Sequence, residues 1–487
     1  MIRITLLTFL IAYLSVYAWK DWFRAACWLV LLMAVVEHPD MPKGIAGVPG
    51  LNHWNFLFVN VVFSWLVNRK KEKLAWDMPK HFNLLLFLYG LLIFISVIRY
   101  LSDHSGVDEL IQFVGGSADT GINAIDEYLF NCFKWVLPGM IIFDGCRNRK
   151  QYDFAIIMLA LMFVLLALQV IKAMKFGSLG MSGESLQRRA LKVISSNVGF
   201  HRVNISMMMS GAFWLVFCLK EYVSNKRFIL VIIPSCIAIL FAMAMTGGRT
   251  GYAAWAILGF IYCTFKWRKY LWLAPILLVV IIVVAPSAIE RLSQGFVAEA
   301  NTNFTQDLSV DFQEDNVDMR SVTSGRVVAW PLVWSSIKAA PFFGYGREAM
   351  KNEGLTLQIM LEHGEGESFP HPHNAYLQWI QDNGIIGAIP VFLFYLLLVK
   401  YSWSLFRDDS QLIYVVTGGG ALALLLAFLV ASVGSQTFYP REGAVGMWVA
   451  IALMLRIHIE RKIIFSGGDS NLIYPSEKVK SKYFSNQ

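Results

Sequence analysis

The chain has 487 residues, of which 56% are hydrophobic and 16% charged, and its mean hydropathy is +0.52. Soluble domains carry about 25% charged residues, so this composition argues against a soluble enzyme. Repeated apolar runs of roughly 17–23 residues point to an all-α polytopic membrane protein, not to a barrel of alternating ten-residue strands. The net charge of +8 and pI near 9.0 do not call for nucleic acid, because the basic residues fall in short connections between apolar runs.

In chain order, spans are expected near 4–19 and 23–37, joined by Lys20, Asp21 and Arg24. A span near 53–68 follows, closed by the basic run Arg69-Lys70-Lys71-Glu72-Lys73, and then one near 80–101. Two more, near 124–145 and 151–174, are joined by Arg147, Arg149 and Lys150. Those near 203–222 and 227–246, and near 249–266 and 269–286, are again joined by lysines and arginines. The last three lie near 382–402, 410–434 and 443–459.

This gives about 12–13 spans, with the N-terminal run expected to be retained. The basic connections read as cytoplasmic, which puts the polar stretches 102–123 and 175–202 and the long loop 287–381 on the other side of the membrane. The chain thus divides into transmembrane helices 1–10 in 1–286, one large periplasmic loop at 287–381 with amphipathic helices, C-terminal spans in 382–459 and a cytoplasmic tail at 460–487. Cys27, Cys132, Cys146, Cys218, Cys236 and Cys263 all lie in or beside apolar runs, so no disulfide framework is expected in the long loop.

Three motifs stand out. Thr246-Gly247-Gly248-Arg249-Thr250-Gly251-Tyr252 puts an arginine at a membrane border, next to glycines that allow a tight turn and close ligand approach. A guanidinium there suits bidentate binding of phosphate, although a snorkelling arginine at a span end is the plainer alternative. In the loop, Thr323-Ser324-Gly325-Arg326 precedes Trp330, Ile337, Pro341, Gly344 and Gly346. Val327, Trp330, Val333, Trp334 and Ile337 have helical spacing, so Arg326 falls near the start of an amphipathic helix, where backbone N–H groups favour an anion.

The third motif is His371-Pro372-His373-Asn374, followed by Gly384 and Gly387, where the loop re-enters the membrane. Histidine is the side chain most easily poised to take a proton near neutral pH. His363, Glu365, Glu367, His371 and His373 also form a cluster of potential metal ligands, but with no recognisable metal spacing. Asp307, Asp311, Glu314, Asp315 and Asp318 read as a solvated acidic segment without EF-hand spacing. Arg202 and Arg441 border spans on the same side as the motifs and are candidates for supporting positive charge.

His373-Asn374 with Gly384 and Gly387, together with the Arg249 and Arg326 motifs, resembles the signature of the bacterial O-antigen ligase and O-antigen polymerase superfamily. The resemblance covers the chain from about Gly247 onward. It implies a fold like that of GT-C glycosyltransferases and a multi-pass protein of the bacterial inner membrane with its active site on the periplasmic face. It implies transfer of a glycan from undecaprenyl diphosphate to an acceptor hydroxyl on a glycan, on lipid A-core or on a glycoprotein. His373 would be the catalytic base and Arg249 and Arg326 the donor diphosphate ligands, with His371, Asn374, Arg202 and Arg441 in support. Direct displacement would invert the anomeric carbon without a metal or other cofactor. Membrane lipid, and no nucleic acid, is the expected surrounding. The competing class is a transporter or flippase of a lipid-linked or anionic saccharide, which calls for ionisable residues in mid-span.

Overall fold

The computed structural model describes residues 2–42, 44–45, 48–50, 52–116, 121–222, 226–293, 326–363 and 369–473. The protein is an all-α polytopic membrane protein, whose strands among the described residues are one two-residue antiparallel pair, Gly44–Ile45 with Val48–Pro49. Its helices are α1 (Ile2–Ala18), α2 (Trp22–Leu31), α3 (His53–Lys71), α4 (Lys80–Ser102), α5 (Ser105–Phe113), α6 (Gly121–Ile125) and α7 (Asn131–Gly145). Then come α8 (Arg149–Met174), α9 (Gly183–Asn197), α10 (Arg202–Cys218), α11 (Lys226–Met245), α12 (Arg249–Phe265), α13 (Ala274–Val284) and α14 (Pro286–Ser293). The series ends with α15 (Arg326–Ala339), α16 (Ala349–Asn352), α17 (Leu355–His363), α18 (Ala375–Phe406), α19 (Leu412–Ala431) and α20 (Val445–Phe465).

Seven described helical stretches are long and apolar enough to cross a membrane: Lys80–Ser102, Arg149–Met174, Arg202–Glu221, Arg227–Met245, Ala375–Phe406, Leu412–Ala431 and Glu442–Phe465. Of the other runs expected as spans, that near 53–68 forms the uninterrupted 19-residue α3, which carries Arg69, Lys70 and Lys71 in its last turn, and the rest form shorter or interrupted helices. α1 and α12 have 17 residues each and α13 has 11, while α7 is preceded by a π-helical segment, Asp126–Phe130. The polar stretch 175–202 also departs from expectation, because it carries the amphipathic α9, whose Leu186, Ala190 and Ile194 are buried at four-residue spacing. That periodicity suits a helix lying along the bundle.

The centre of the bundle is α10, α19 and α20, whose apolar windows are 72%, 83% and 83% buried, against 28% for α11 and 33% for α4. α19 packs against both α10 and α18, α20 packs against α7, and α4 packs against α18. The peripheral helices therefore turn one face to lipid, as membrane helices do. All chain connections rich in lysine and arginine gather at one end. There Arg147 reaches Asp77, Tyr222 hydrogen-bonds Asp153, and Arg461 pairs with Asp408 at 2.6 Å. α10 and α12 each run away from the opposite end, so Arg202 and Arg249 start there together.

α18 is not one straight helix. At Gly384 the backbone takes φ 68°, ψ −179°, and the turn 341–346 occupies the break. Ile385 N–H donates to Pro341 O at 2.8 Å and Ile386 N–H to Phe342 O at 3.2 Å. In return Tyr345 N–H donates to Gln381 O at 2.9 Å and Gly346 N–H to Asp382 O at 2.8 Å. The freed backbone groups are thus satisfied by protein, which is the condition for irregular chain at a membrane. The contact tolerates no side chain: a Cβ on Gly384 would lie 2.1 Å from Phe342 O, and one on Gly344 would lie 2.4 Å from Gln381 O. Arg99 of α4 clamps the same turn, donating to Phe343 O and Gly344 O at 2.6 Å each.

Candidate active site

The turn before α12 fixes the first arginine. Gly247 has φ +63°, and Thr246 Oγ1 accepts from Gly248 N–H at 3.2 Å. Arg202, the first residue of α10, donates to Gly247 O at 3.1 Å and Thr246 O at 3.4 Å. Ser206, one turn further along α10, donates to Gly248 O at 3.1 Å, and a Cβ on Gly251 would fall 2.0 Å from Ser206 Oγ. The glycines of this motif therefore let α10 and α12 approach closely, and they set Arg249 as the first residue of α12 beside Arg202.

Arg326 is the first residue of α15; Thr323, Ser324 and Gly325 lie outside the described residues. The buried face of α15 is Ala329, Val333 and Ile337, with Val328 and Leu332 packed beside it, while Trp334 is 50% exposed. Arg326 donates to Ser435 Oγ at 3.4 Å. Burial and the Arg249 charge both lower its pKa, so two cations from distant segments lie within electrostatic reach of one another. Arg249 is also within electrostatic reach of Arg202.

The histidine turn is held from three sides. Trp330 of α15 donates to Pro372 O at 2.9 Å, and Ala375 N–H donates to Ser432 O at 2.8 Å. Asn374 caps α18, its Oδ1 accepting from Tyr376 N–H at 3.0 Å and Leu377 N–H at 3.2 Å; side-chain caps of this kind satisfy otherwise unpaired helix N–H groups. His373 itself sits at φ +49°, a left-handed conformation uncommon outside glycine, which its neighbours must hold in place. Its N–H donates to His371 Nδ1 at 3.2 Å, and the two rings lie with centroids 4.1 Å apart.

His373 Nδ1 is buried with no hydrogen-bond partner among the described residues. Burial, then the Arg326 charge, then His201 push the His373 imidazole down to about 4. Burial first, then His373, push His371 down to about 3, with Glu348 pulling the other way. Both rings are neutral at neutral pH and able to accept a proton.

A second, buried charge cluster backs His371. Arg347 is 3% exposed; it lies 3.4 Å from Glu348, 3.9 Å from Asp382 and 3.6 Å over the Tyr439 ring. Burial raises the Glu348 carboxyl, but the Arg347 and Lys351 cations outweigh it and hold it at about 2. Asp382 accepts from Ala349 N–H at 3.2 Å and from Tyr439 OH at 2.9 Å.

Charge thus links these residues pairwise: Arg326 acts on His373, Arg249 acts on Arg326 and on Arg202, and His371 is in ring contact with His373. Asn374 contributes as a helix cap, its side-chain oxygen taken up by two backbone N–H groups. Arg441 is exposed and acts on His371; neither it nor Arg202 nor Arg249 figures among the charges acting on His373. His201 and Ser435 were not singled out from the sequence. His201 had a signal, since it precedes Arg202 at a span border; Ser435 had none. Among the described residues no group of three or more His, Cys, Asp or Glu side chains is arranged to hold a metal. Glu365 and Glu367 of the rival ligand cluster, and the acidic run 307–318, lie outside the described residues.

No curated protein matches the chain. Residues 234–392 match the model of a family described as O-antigen ligase. That segment contains Arg249, Arg326, His371, His373, Gly384 and Gly387, and leaves out Arg202 and Arg441. The chain is therefore a multi-pass membrane protein in which residues 234–392 are similar to the O-antigen ligase family.

Proposed function

We propose that this protein moves a glycan from undecaprenyl diphosphate to an acceptor hydroxyl on the periplasmic face of the inner membrane. The observation that supports this most is the Arg326 charge beside the buried, hydrogen-bond-free His373 Nδ1, with Arg249 in turn within electrostatic reach of Arg326. The arginines hold the donor diphosphate by forked, charge-assisted hydrogen bonds. His373 takes the acceptor hydroxyl proton as that oxygen bonds to the anomeric carbon. The bond from the anomeric carbon to the diphosphate oxygen breaks, and its electron pair leaves with the diphosphate. The arginines matter most at that moment, when charge builds on the leaving oxygen. One displacement inverts the anomeric configuration, and this account uses no metal.

The electrostatics favour an order of events. In the free protein the Arg326 cation helps to hold His373 at about 4, a weak base. A bound diphosphate neutralises that cation and so strengthens the base in the complex where it is needed. A general base works best with a pKa near the operating pH.

The test is reconstitution of the full chain in vesicles with a polyprenyl-diphosphate-linked glycan and candidate acceptors. Release of free polyprenyl diphosphate with an enlarged, inverted glycan product supports the reading. Movement of the intact lipid-linked glycan across the bilayer without cleavage sinks it in favour of a flippase, and retained configuration sinks the one-step mechanism. Product mass separates ligation from polymerisation.

A further inference from the structure

One connection touches every helix start that carries a candidate site residue. It is the stretch 432–444 between α19 and α20, which lies outside the matched residues 234–392. Ser432 O accepts from Ala375 N–H at 2.8 Å, two residues after His373. Gly434 packs so tightly on Thr250, the neighbour of Arg249, that a Cβ there would overlap Thr250 Cγ2. Ser435 Oγ accepts from Arg326 at 3.4 Å. Two side chains then reach Asn204, which stands two residues after Arg202 on α10. Gln436 Nε2 donates to Asn204 Oδ1 at 2.9 Å, and Asn204 Nδ2 donates to Glu442 Oε1 at 3.3 Å. Asn204, Ser435, Gln436 and Glu442 are all half-buried.

The polarity of this row is set from one end. A carboxylate oxygen accepts and does not donate, so Glu442 takes the NH2 arm of Asn204. The Asn204 oxygen is thereby turned to Gln436 and receives its N–H, which leaves Gln436 Oε1 on the other arm of that amide. Gln436 Oε1 and Glu442 Oε2 have no hydrogen-bond partner among the described residues. The row therefore offers acceptors to a ligand, and the groups that need acceptors are hydroxyls and amide N–H groups, of which a sugar ring carries several. Ser435 joins the row to Arg326, and α10 joins it to Arg202. A sugar held through its anomeric carbon to a diphosphate lies one glycosidic bond from the phosphate, beside the cations that hold it. A few placed polar groups of this kind are what fix a small ligand's orientation.

We infer that Gln436 and Glu442, oriented by Asn204, form a subsite for the first sugar ring of the donor and accept hydrogen bonds from its hydroxyl or acetamido N–H groups. This rests on the transferase reading above for the identity of the lipid, and adds which residues read its sugar. Asn204 is a positioning residue, because both arms of its amide are taken up by Gln436 and Glu442. A site built to pair a ligand's polar groups rejects an analogue that leaves them unpaired, so this row sets which first sugar the protein accepts.

The test measures binding to the full chain in nanodiscs, with no acceptor present. The probes are bare polyprenyl diphosphate and the same lipid carrying N-acetylglucosamine, N-acetylgalactosamine, glucose or galactose. The wild-type protein should bind at least one sugar-bearing lipid about tenfold more tightly than the bare lipid, the worth of one hydrogen bond. Gln436→Ala should remove that advantage and leave the Kd for the bare lipid unchanged, and Asn204→Ala should show the same split. Glu442→Gln keeps the shape of the row but turns its free acceptor into a donor, so it should also lose the advantage, and it decides the matter if Gln436→Ala does not fold. Arg326→Lys should weaken bare and sugar-bearing lipids alike. Equal affinity of the wild type for bare and sugar-bearing lipids overturns the subsite whatever the variants do. So does a preference for sugar that survives both Gln436→Ala and Glu442→Gln, or a loss in Glu442→Gln that is equal on all lipids. A wild-type protein that shows the preference but releases no polyprenyl diphosphate when acceptors are added refutes the transferase reading and leaves the sugar subsite standing.

Discussion

At one end of the bundle Arg456, fully buried, forks onto both carboxylate oxygens of Asp77 at 2.6 and 2.8 Å and also donates to Phe143 O. Arg147 joins the same Asp77 at 2.9 Å and Asp144 at 3.1 Å, and Arg69 meets Asp144 at 2.8 Å. At the other end Arg202 rests on two backbone carbonyls and Arg326 on one serine hydroxyl at 3.4 Å, and neither has a carboxylate partner among the described residues. One side-chain type serves two purposes. Where each cation is matched by an aspartate, the charge holds helices together. Where the Arg249 charge bears on Arg326 and the Arg326 charge on a neutral histidine, the guanidinium groups raise a positive potential that favours an arriving anion. Like charges held within reach of one another and of a titratable group mark a site more sharply than charge itself.

The comparison can be tested from both ends. The largest expected effect is at the histidine: His373→Ala should cut glycan transfer by about 10²–10⁴-fold, the usual range for losing a general base, with membrane insertion and thermal stability kept. Normal transfer by that variant removes the proposed base. Arg326→Lys should lower transfer by roughly tenfold or more with little change in melting temperature, because a point charge cannot reproduce a planar fork. Arg456→Met should do the reverse, costing about 3 kcal/mol of stability as a broken buried pair while the surviving protein keeps its kcat. If both arginine variants lose activity and stability in the same proportion, the two ends are not different in kind.

The smallest expected effect is on pH dependence. His371 and His373 lie at about 3 and 4 in the folded chain, below the ordinary value of about 6.5. As pH falls below 6.5 the unfolded chain takes up protons first, so the stabilising contribution of the neutral rings is complete above that value and declines towards pH 4. Melting curves should show a smaller acid-induced loss between pH 6.5 and 4 in a His371→Gln, His373→Gln double variant than in the parent. An identical loss would mean that neither ring is held neutral by the fold.

Much of this was legible in the residues. Asn374, expected only as a supporting residue, is a helix cap. Arg249 and Arg326 read as helix starts, and both begin their helices. The partition of basic residues between the connections foretold which arginines share an end. The glycines were harder. Gly384 and Gly344 were noticed by their spacing, yet their role is to meet each other across a break in α18, a contact between segments 341–346 and 381–386 that no local pattern carries. The amphipathic α9 was overlooked, although Leu186, Ala190 and Ile194 had the spacing for it, because the surrounding residues are polar enough to read as loop.

Apolar run length, caps and the charge of short connections are properties of neighbouring residues, and they settled the membrane class, the helix starts and the ends at which they lie. Which arginine meets an aspartate and which meets another arginine depends on how α3, α7 and α20 pack at one end and α10, α12 and α15 at the other. Those contacts join residues far apart in the chain, and their partners are chosen by side-chain packing between helices. Only the assembled bundle brought the Arg249 charge to bear on Arg202 and Arg326, and the Arg326 charge on His373.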